Sequence, residues 1–490
     1  VTLDFDICWR ASVARDRRFV GRFVIGVTTT GVYCRPGCPA RMPLRDHVRF
    51  YASPAAAEAA GFRACLRCRP DAVPGGAAWR GTSATVTRAL RLIDEGALAH
   101  GSLEALAARL GVTSRWLRAL FARHVGASPL EVAASRRAHF ARRLLADTRL
   151  PAEEIAIAAG FGGARRLRAA MRARFGRPPQ ALRGARAARD GADGALVLAL
   201  AARGRLDAAP LLDFLAARAI AGVEEVRDGA YRRVVAAPAA APLVIEARPD
   251  PRGVTLRVPA AALAALPWLV ARVTRVFDLD ADAAAIARHL ARDARLARAL
   301  AGREVRVPGA FDRFEAAVRA LLGQQVSVAA ARTLAARLVL ACGRALDRPD
   351  GPLTHAFPDA GAVAAAPLDR LGLTRARAAT LRGFAGAVAG GTLDLTSFAD
   401  LDEAIARLTA MPGIGDWTAQ YIAMRALGEP DAFPAGDLGV RRALARGGRV
   451  ASERAVRSRA EAWRPWRAYA TIALWTANGA GTPSTRRRTS

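Results

Sequence analysis

The sequence contains no lysine: all 74 basic residues are arginine, set against 43 acidic ones. That absence excludes any chemistry that requires a lysine amine, a Schiff-base nucleophile above all. Cysteine is scarce, six in 490 residues, far too few for a disulfide-stapled scaffold. Long hydrophobic runs are missing. No charge-free stretch approaches the ~20 apolar residues needed to span a bilayer, and the longest candidate, residues 234–245, is broken by Pro238 and Pro242. No charged n-region followed by an apolar core opens the chain. It starts at Val1 rather than Met, which reads as a trimmed start. The expectation is a soluble, cytoplasmic protein, nucleoid-associated, with reduced thiols and no membrane partner. Clustered cysteines in it then point to metal or reactivity rather than to disulfides.

What is present is ordinary in bulk and unusual in charge. The apolar fraction is 52% and the charged fraction 24%, which excludes general disorder and a collagen-like chain. At roughly 150 residues per domain the length predicts about three domains. The net charge is +31, divided as +6 over residues 1–78, +13 over 79–192 and +12 over 193–490. Alanine, arginine and glycine dominate, so coding bias contributes to the arginine count. A basic balance in every part still points to a polyanionic partner, nucleic acid being the commonest.

Four of the six cysteines form a pattern. Cys34-Arg-Pro-Gly-Cys38 is followed, after 26 residues, by Cys65-Leu-Arg-Cys68. Two close pairs in loops rich in Pro, Gly and Arg predict one tetrahedral Zn²⁺ held by Cys34, Cys38, Cys65 and Cys68. Cys8 and Cys342 stand alone and read as buried residues. The segments Gly31-Val-Tyr-Cys-Arg-Pro-Gly-Cys-Pro-Ala-Arg41 and Ala60-Gly-Phe-Arg-Ala-Cys-Leu-Arg-Cys-Arg-Pro-Asp71 resemble the N-terminal domain of the Ada family. That family repairs methyl phosphotriesters in DNA. The resemblance implies that Cys34 is the methyl acceptor. Four thiolates on Zn²⁺ carry a net charge of −2, and methylation of one reduces it to −1, which weakens repulsion from DNA phosphates. Arg35, Arg45 and Arg67 flank the site and are expected to hold the DNA backbone. A purely structural zinc is the competing reading.

Beyond a Pro/Gly linker at 74–80, Ser102 precedes an amphipathic segment at 103–110. Gly111-Val-Thr113 then makes a turn, and a second helix follows with Trp116, Leu117, Leu120 and Phe121 as its apolar stripe. The form recurs at 153–159, Gly160-Phe-Gly162 and 164–175. Helix, glycine turn, helix is the sequence form of a helix-turn-helix. The exposed positions carry Arg115 and Arg118 in the first copy, Arg165, Arg166 and Arg168 in the second. The pair, with Ala159-Gly160-Phe161 and Phe175-Gly176-Arg177-Pro178-Pro179, resembles the tandem DNA-binding domain of the AraC family. That resemblance makes double-stranded promoter DNA an expected partner and RNA polymerase a further one.

In the C-terminal half, alternating segments at 196–201, 231–236, 243–247 and 254–258 predict strands. A helix is predicted at 210–221, and after Asp282 the chain reads as almost wholly helical. The motif Met411-Pro-Gly-Ile-Gly415-Asp-Trp417 ends one helix and opens another. Gly413 and Gly415 let backbone amides approach a phosphate at a helix N-terminus. About twenty residues on stands Asp437, in Phe433-Pro-Ala-Gly-Asp437. Hairpin and acidic residue together are the signature of the helix-hairpin-helix DNA glycosylases. The stretch 199–481 resembles the AlkA-type 3-methyladenine glycosylases. The resemblance implies that Asp437 is the catalytic carboxylate and that Trp417, Tyr421 and Trp475, with Gln324, form the base pocket. It further implies that Gln325 probes the minor groove and that a monovalent cation sits on the hairpin carbonyls. Two residues depart from the family: Gln325 is polar where an apolar wedge is frequent, and Gly436 replaces an acidic neighbour. A helix cap is the alternative role for Asp437, and core packing the expected role of Trp268, Trp463 and Trp466.

The expected fold is multidomain and mainly α. Residues 1–78 form a small α/β zinc methyl-acceptor domain and 79–185 an all-α tandem helix-turn-helix domain. A linker covers 186–194, an α+β subdomain 195–281 and an all-α helix-hairpin-helix glycosylase domain 282–490. The chain is expected to be a monomer that repairs alkylated DNA by base excision and by triester demethylation. No Pro-Cys-His-Arg motif marks a second alkyl-acceptor domain. With no lysine, a lysine-type strand lyase is impossible, so the glycosylase is monofunctional. The alternative is a methylation-sensing activator whose glycosylase half only binds DNA.

Overall fold

The computed structural model describes residues 3–16, 19, 22–65, 67–68, 70, 84–94, 96–98, 101–183, 195–237, 240–396, 398, 400–445 and 449–477. The linkers expected at 74–80 and 186–194 lie outside the described residues. The chain divides into two compact units. One is Val1–Arg203 with Thr255–Ala271 and Leu279–Ala281; the other is Gly204–Val254 with Arg272–Asp278 and Asp282–Ser490. No helix among the described residues is long and apolar enough to cross a membrane.

The first unit opens with helix α1 (Phe5–Val13), capped by Asp4, whose carboxylate accepts from Ile7 N at 2.9 Å. A four-stranded sheet follows in the order β3-β1-β2-β4, built from β1 (Val24–Val27), β2 (Val32–Cys34), β3 (Val48–Tyr51) and β4 (Arg63–Ala64). Cys8, Ala11, Phe23, Ile25 and Val48 are its core, as the solitary Cys8 predicts. Strand β2 pairs antiparallel with β1 and parallel with β4, with Tyr33 opposite Ala64. Helix α2 (Pro54–Ala59) starts where a helix should, with Ser53 as cap and proline in its first turn.

Six helices carry the helix-turn-helix pair: α3 (Ala84–Asp94), α4 (Leu103–Arg109), α5 (Ser114–Val125), α6 (Pro129–Asp147), α7 (Ala152–Ala158) and α8 (Ala164–Phe175). Ser102 caps α4, accepting from Ala105 N at 3.1 Å. Helices α5 and α8 both end on a glycine in the left-handed region, Gly126 at φ 73° and Gly176 at φ 67°. Leu117, Leu120 and Phe121 are buried, but Trp116 is 56% exposed. The predicted apolar stripe is therefore narrower by one residue. Leu117 and Phe121, four apart, already fill the inner face, and Trp116 turns outward beside Arg115.

Helix α2 binds this helical bundle at three places. Ser53 Oγ donates to the Val125 carbonyl, the last turn of α5, at 2.8 Å. Glu58 Oε1 accepts from Tyr33 Oη at 2.9 Å and lies 2.8 Å from His139 Nε2 on α6. Its other oxygen pairs with Arg174 near the end of α8. The Glu58 side chain is 5% exposed. One carboxylate thus joins the sheet, the central helix and the second recognition helix.

The second unit contains helix Ala209–Arg218 and an antiparallel meander of Glu224–Arg227, Ala230–Val235 and Leu243–Asp250, with Glu225 opposite Arg232 and Val234 opposite Val244. Strands Leu196–Ala201 and Gly253–Val258 are neighbours, with Thr255–Val258 in the first unit. The strands predicted in this region are all present. The expectation of an almost wholly helical chain after Asp282 needs one correction, because Arg344–Asp350 and Leu353–Ala356 form a β-hairpin. Its first strand is exposed nearly throughout, so no alternation betrays it. Leu353 and Ala356 pack on Val234, and Gly351 turns the chain at φ 60°.

Replacing Glu58 by alanine leaves Arg174 without its carboxylate and should destabilise the first unit by about 3 kcal/mol. In thermal melts of the full chain, Glu58→Ala is expected to lower the earlier transition while Glu225→Ala, a change in the second unit, leaves that transition in place.

Candidate functional sites

The parallel pairing of β2 and β4 sets the ends of those strands side by side, and Cys34 and Cys65 stand at those ends. Cys65 N donates to the Tyr33 carbonyl at 2.9 Å. Each strand then turns, returning Cys38 and Cys68 to the same point, the first turn aided by Gly37 at φ 82°. The four Sγ atoms lie within 4.8 Å of one another. A tetrahedron with Zn–S bonds of about 2.3 Å has edges of about 3.8 Å, so the donor set fits one zinc with little movement. The thiols do not tolerate this proximity as independent acids. Hydrogen bonds from Cys34 and Cys68 pull Cys65 far below the ordinary thiol range, while the bonds of Cys34 to Cys65 and Cys68 push Cys34 far above it. A divalent cation removes that conflict.

Around this centre Arg35 is half-buried and Arg67 exposed. Arg45 is exposed but paired with Asp6, its guanidinium 5.1 Å from the Phe5 ring centre. Arg115, Arg118, Arg165, Arg166 and Arg168 all project from α5 and α8 into solvent. Arg118 lies 3.8 Å from Glu104, both largely exposed, a contact that contributes little.

In the second unit, helix Leu401–Thr409 runs into the turn 411–415 and helix Asp416–Ile422 leaves it. Gly413 sits at φ 81°, and a Cβ there would come within 2.0 Å of Thr380 Oγ1. Gly415 has an ordinary backbone, and a Cβ there meets nothing. Gln324 Nε2 donates to the Gly413 carbonyl and to Thr418 Oγ1, both at 3.0 Å. The Gln324 amide thus braces the hairpin. Its neighbour Gln325 is exposed and held at φ 54°, a left-handed conformation costly for a side chain of this size.

Asp437 is the hub. Its Oδ1 accepts from Trp475 Nε1 at 2.8 Å and its Oδ2 from Trp417 Nε1 at 3.2 Å. Oδ1 also accepts from Val440 N at 2.9 Å, so Asp437 caps helix Leu438–Ala443 as well. Trp417 stacks on Tyr421 with ring centres 5.3 Å apart, and Tyr421 leans on Trp475 at 6.2 Å. These four residues line one cavity of about 310 Å³. Trp463 is fully buried, with its indole donating to Asp293; Trp268 and Trp466 are only half-buried.

Three participants escape sequence reasoning. Gln420 Oε1 accepts from Phe433 N at 2.9 Å and so anchors the loop that delivers Asp437. Arg218 and Arg425 line the cavity beyond the aromatic residues. Arg425 follows Tyr421 in a π-helical turn, Ala423–Leu427, so no α-helical spacing in the sequence signals its place.

A thiolate metal centre joined to helix-turn-helix units and a helix-hairpin-helix fold with a carboxylate in an aromatic cavity define a multidomain DNA-repair protein. Comparison with known proteins agrees segment by segment. Residues 7–71 match the metal binding domain of Ada, and 106–185 a helix-turn-helix domain. Residues 197–312 match the AlkA N-terminal domain, and 318–468 the HhH-GPD superfamily of base excision DNA repair proteins. The chain is 43% identical over 479 residues to the probable bifunctional transcriptional activator/DNA repair enzyme AlkA of Mycobacterium tuberculosis, covering 96% of each. It is 37% identical over 276 residues to DNA-3-methyladenine glycosylase 2 of Escherichia coli, covering 55% of this chain and 93% of that one. It is 40% identical over 121 residues to the E. coli bifunctional transcriptional activator/DNA repair enzyme Ada, covering 25% of this chain and 33% of that one. The chain belongs to the family of AlkA-type bifunctional transcriptional activator/DNA repair enzymes, and its four-cysteine cluster is that family's zinc site.

The two hairpin glycines should separate on mutation. Gly413→Ala meets Thr380 in a left-handed backbone and is expected to lower the melting temperature of the full chain. Gly415→Ala is expected to leave melting unchanged yet weaken binding to duplex DNA in a titration, because only an approaching phosphate would meet the new methyl.

Proposed function

We propose that the protein hydrolyses the N-glycosidic bond of alkylated bases in double-stranded DNA and accepts methyl groups from DNA phosphotriesters on Cys34. The observation that carries the first part is the Asp437 carboxylate, fixed by two indole N–H groups inside an aromatic cavity beside the hairpin. A base flipped from the duplex enters that cavity. Ring-nitrogen alkylation makes the base cationic, and the faces of Trp417, Tyr421 and Trp475 attract a cation. As the bond to C1′ breaks, the base leaves with the electron pair and positive charge grows on the sugar. Asp437 stabilises that charge and orients the water whose oxygen bonds to C1′ and whose released proton passes to the carboxylate. The product is an abasic site, and the chain has no lysine to form a Schiff base with it. The exposed, strained Gln325 fits a residue that fills the space left by the flipped base. Gly413 and Gly415 offer amides to the backbone.

At the metal centre, bound zinc keeps the thiolates ionised at neutral pH. Cys34 Sγ attacks the methyl carbon; the S–C bond forms, the C–O bond breaks, and the phosphate leaves as an ordinary diester anion. The thioether is stable, so each chain reacts once. Arg35 and Arg67, beside the cysteines, would hold phosphates. The tandem helix-turn-helix, with Arg115, Arg118, Arg165, Arg166 and Arg168, reads promoter DNA next to RNA polymerase. The contact of α2 with both recognition helices favours a regulatory role added to repair, because the methyl acceptor's domain is bonded to the elements that read DNA.

Base release from methylated duplex DNA tests the first assignment. Wild type should liberate free base, and Asp437→Asn should lose at least about 100-fold in rate while keeping its affinity for DNA. Equal release by the two proteins would remove Asp437 from the chemistry. Cys34→Ser should take no labelled methyl from phosphotriesters yet excise bases normally.

A further inference from the structure

The cavity that begins at Asp437 does not end at the aromatic residues. It is lined as well by Arg218, Glu224, Arg319 and Arg425. Arg425 differs from the other charged groups there. Glu224 pairs with Arg319 and Arg233. Arg425 is 8% exposed, and its Nε and Nη1 have no hydrogen-bond partner among the described residues. It faces the Phe214 ring at 4.4 Å, a ring that Arg218 also approaches at 3.7 Å. Burial lowers its pKa to about 10, so it stays charged at neutral pH.

A buried cation without an acceptor is costly, and the backbone brings it there deliberately. Residues Ala423–Leu427 form a π-helical turn at the end of helix Asp416–Ile422. Such one-turn widenings are rare and concentrate at functional sites. Here the turn shifts the residues that follow Tyr421 around the axis relative to an α-helix, and it contains Arg425.

The occupant can be read from the cavity's two ends. A purine whose glycosidic nitrogen lies at Asp437 directs its six-membered ring inward. Guanine-type bases present a carbonyl oxygen at that edge, adenine-type bases an amino group. A guanidinium has donors only. It gains a partner from the 6-oxygen of the first and none from the 6-amino group of the second. We propose that Arg425 is a specificity-determining residue that donates to the 6-carbonyl of the flipped base, so that the cavity favours 6-oxopurine lesions more than its aromatic walls alone would. Arg218, over the same Phe214 ring, carries a like charge that repels Arg425 and leaves it in need of an acceptor. This inference rests on the glycosylase reading above.

The test uses the full chain and two substrates: duplex DNA treated with a methylating agent, and an oligonucleotide duplex with a single hypoxanthine, a neutral 6-oxopurine. Released 7-methylguanine, 3-methyladenine and hypoxanthine are quantified for wild type, Arg425→Met and Arg425→Gln. Arg425→Met is expected to lose about tenfold or more in release of both 6-oxopurines relative to 3-methyladenine. Arg425→Gln, which keeps an N–H donor without the charge, should recover part of that ratio. A parallel fall for all three bases, or no change, overturns the proposal. Should Arg425→Met fail to fold by thermal melting, the Gln variant alone decides, since an unchanged ratio there also overturns it. Failure of the wild type to release any base would instead refute the glycosylase reading itself.

Discussion

The second unit is organised around one carboxylate. Asp437 receives hydrogen bonds from two indoles and a backbone amide, and each donor comes from a different stretch of chain. Trp417 belongs to the helix that the hairpin starts, Val440 to the helix that Asp437 caps, and Trp475 to the last described helix. Fixing the carboxylate therefore fixes the distance between the hairpin and the cavity. The same bonds solve an electrostatic problem. A half-buried carboxylate without donors would be costly and mobile. With three it is held in one orientation before any substrate arrives, and preorganisation of that kind is what lets a charge stabilise a transition state rather than relax around it. Helix cap and the catalytic role proposed for Asp437 are thus not rivals; the cap supplies part of the rigidity that such chemistry would need.

A chain with arginine as its only basic residue uses the guanidinium for two unlike tasks. Inside, it ties elements through forks to carboxylates: Arg174 to Glu58 in the first unit, Arg233 to Glu224 and Glu315 in the second. Such buried pairs return little net stability relative to apolar packing, but losing one partner is severe. They therefore specify which surfaces meet more than they strengthen the meeting. Outside, arginines on α5 and α8 stand unburied. There the planar fork matches phosphate and base edges alike. The same residue type is legible as interior fastener or exterior reader only from its burial, which composition does not reveal.

That limit explains what the sequence showed and what it hid. Spacing alone found the four cysteines, because metal ligation forces close pairs. Glycine turns found α4–α5 and α7–α8, because a tight turn between helices restricts residue choice. Pro-Gly-x-Gly found the hairpin for the same reason. Period-two alternation found the strands of the α+β region but not the hairpin at 344–356, whose first strand is solvent-exposed along nearly its whole length. The outward turn of Trp116 was hidden because neighbouring apolar residues look alike without a third dimension. The bracing by Gln420 and the inward placement of Arg425 were hidden because both depend on tertiary neighbours, and in Arg425 on a helical irregularity with no sequence rule.

The arrangement of the first unit bears on how a single-use acceptor can act as a signal. Tyr33 is the residue before Cys34, and its hydroxyl bonds to the Glu58 carboxylate that holds Arg174 on the second recognition helix. Strand β2 therefore carries the metal ligand and the link to the bundle on adjacent residues, whose side chains leave opposite faces of the strand. The proposed methyl transfer would change the charge of the centre by one unit. A change that small is felt through space by nearby phosphates, and through the chain only where the connection is short and stiff. One residue of β-strand and one buried carboxylate make such a connection. A flexible linker between acceptor and reader would leave only the electrostatic route. Docking α2 against the ends of α5 and α8 would give the proposed acceptor a mechanical route as well, through a polar cluster buried where an apolar contact would have been cheaper to build.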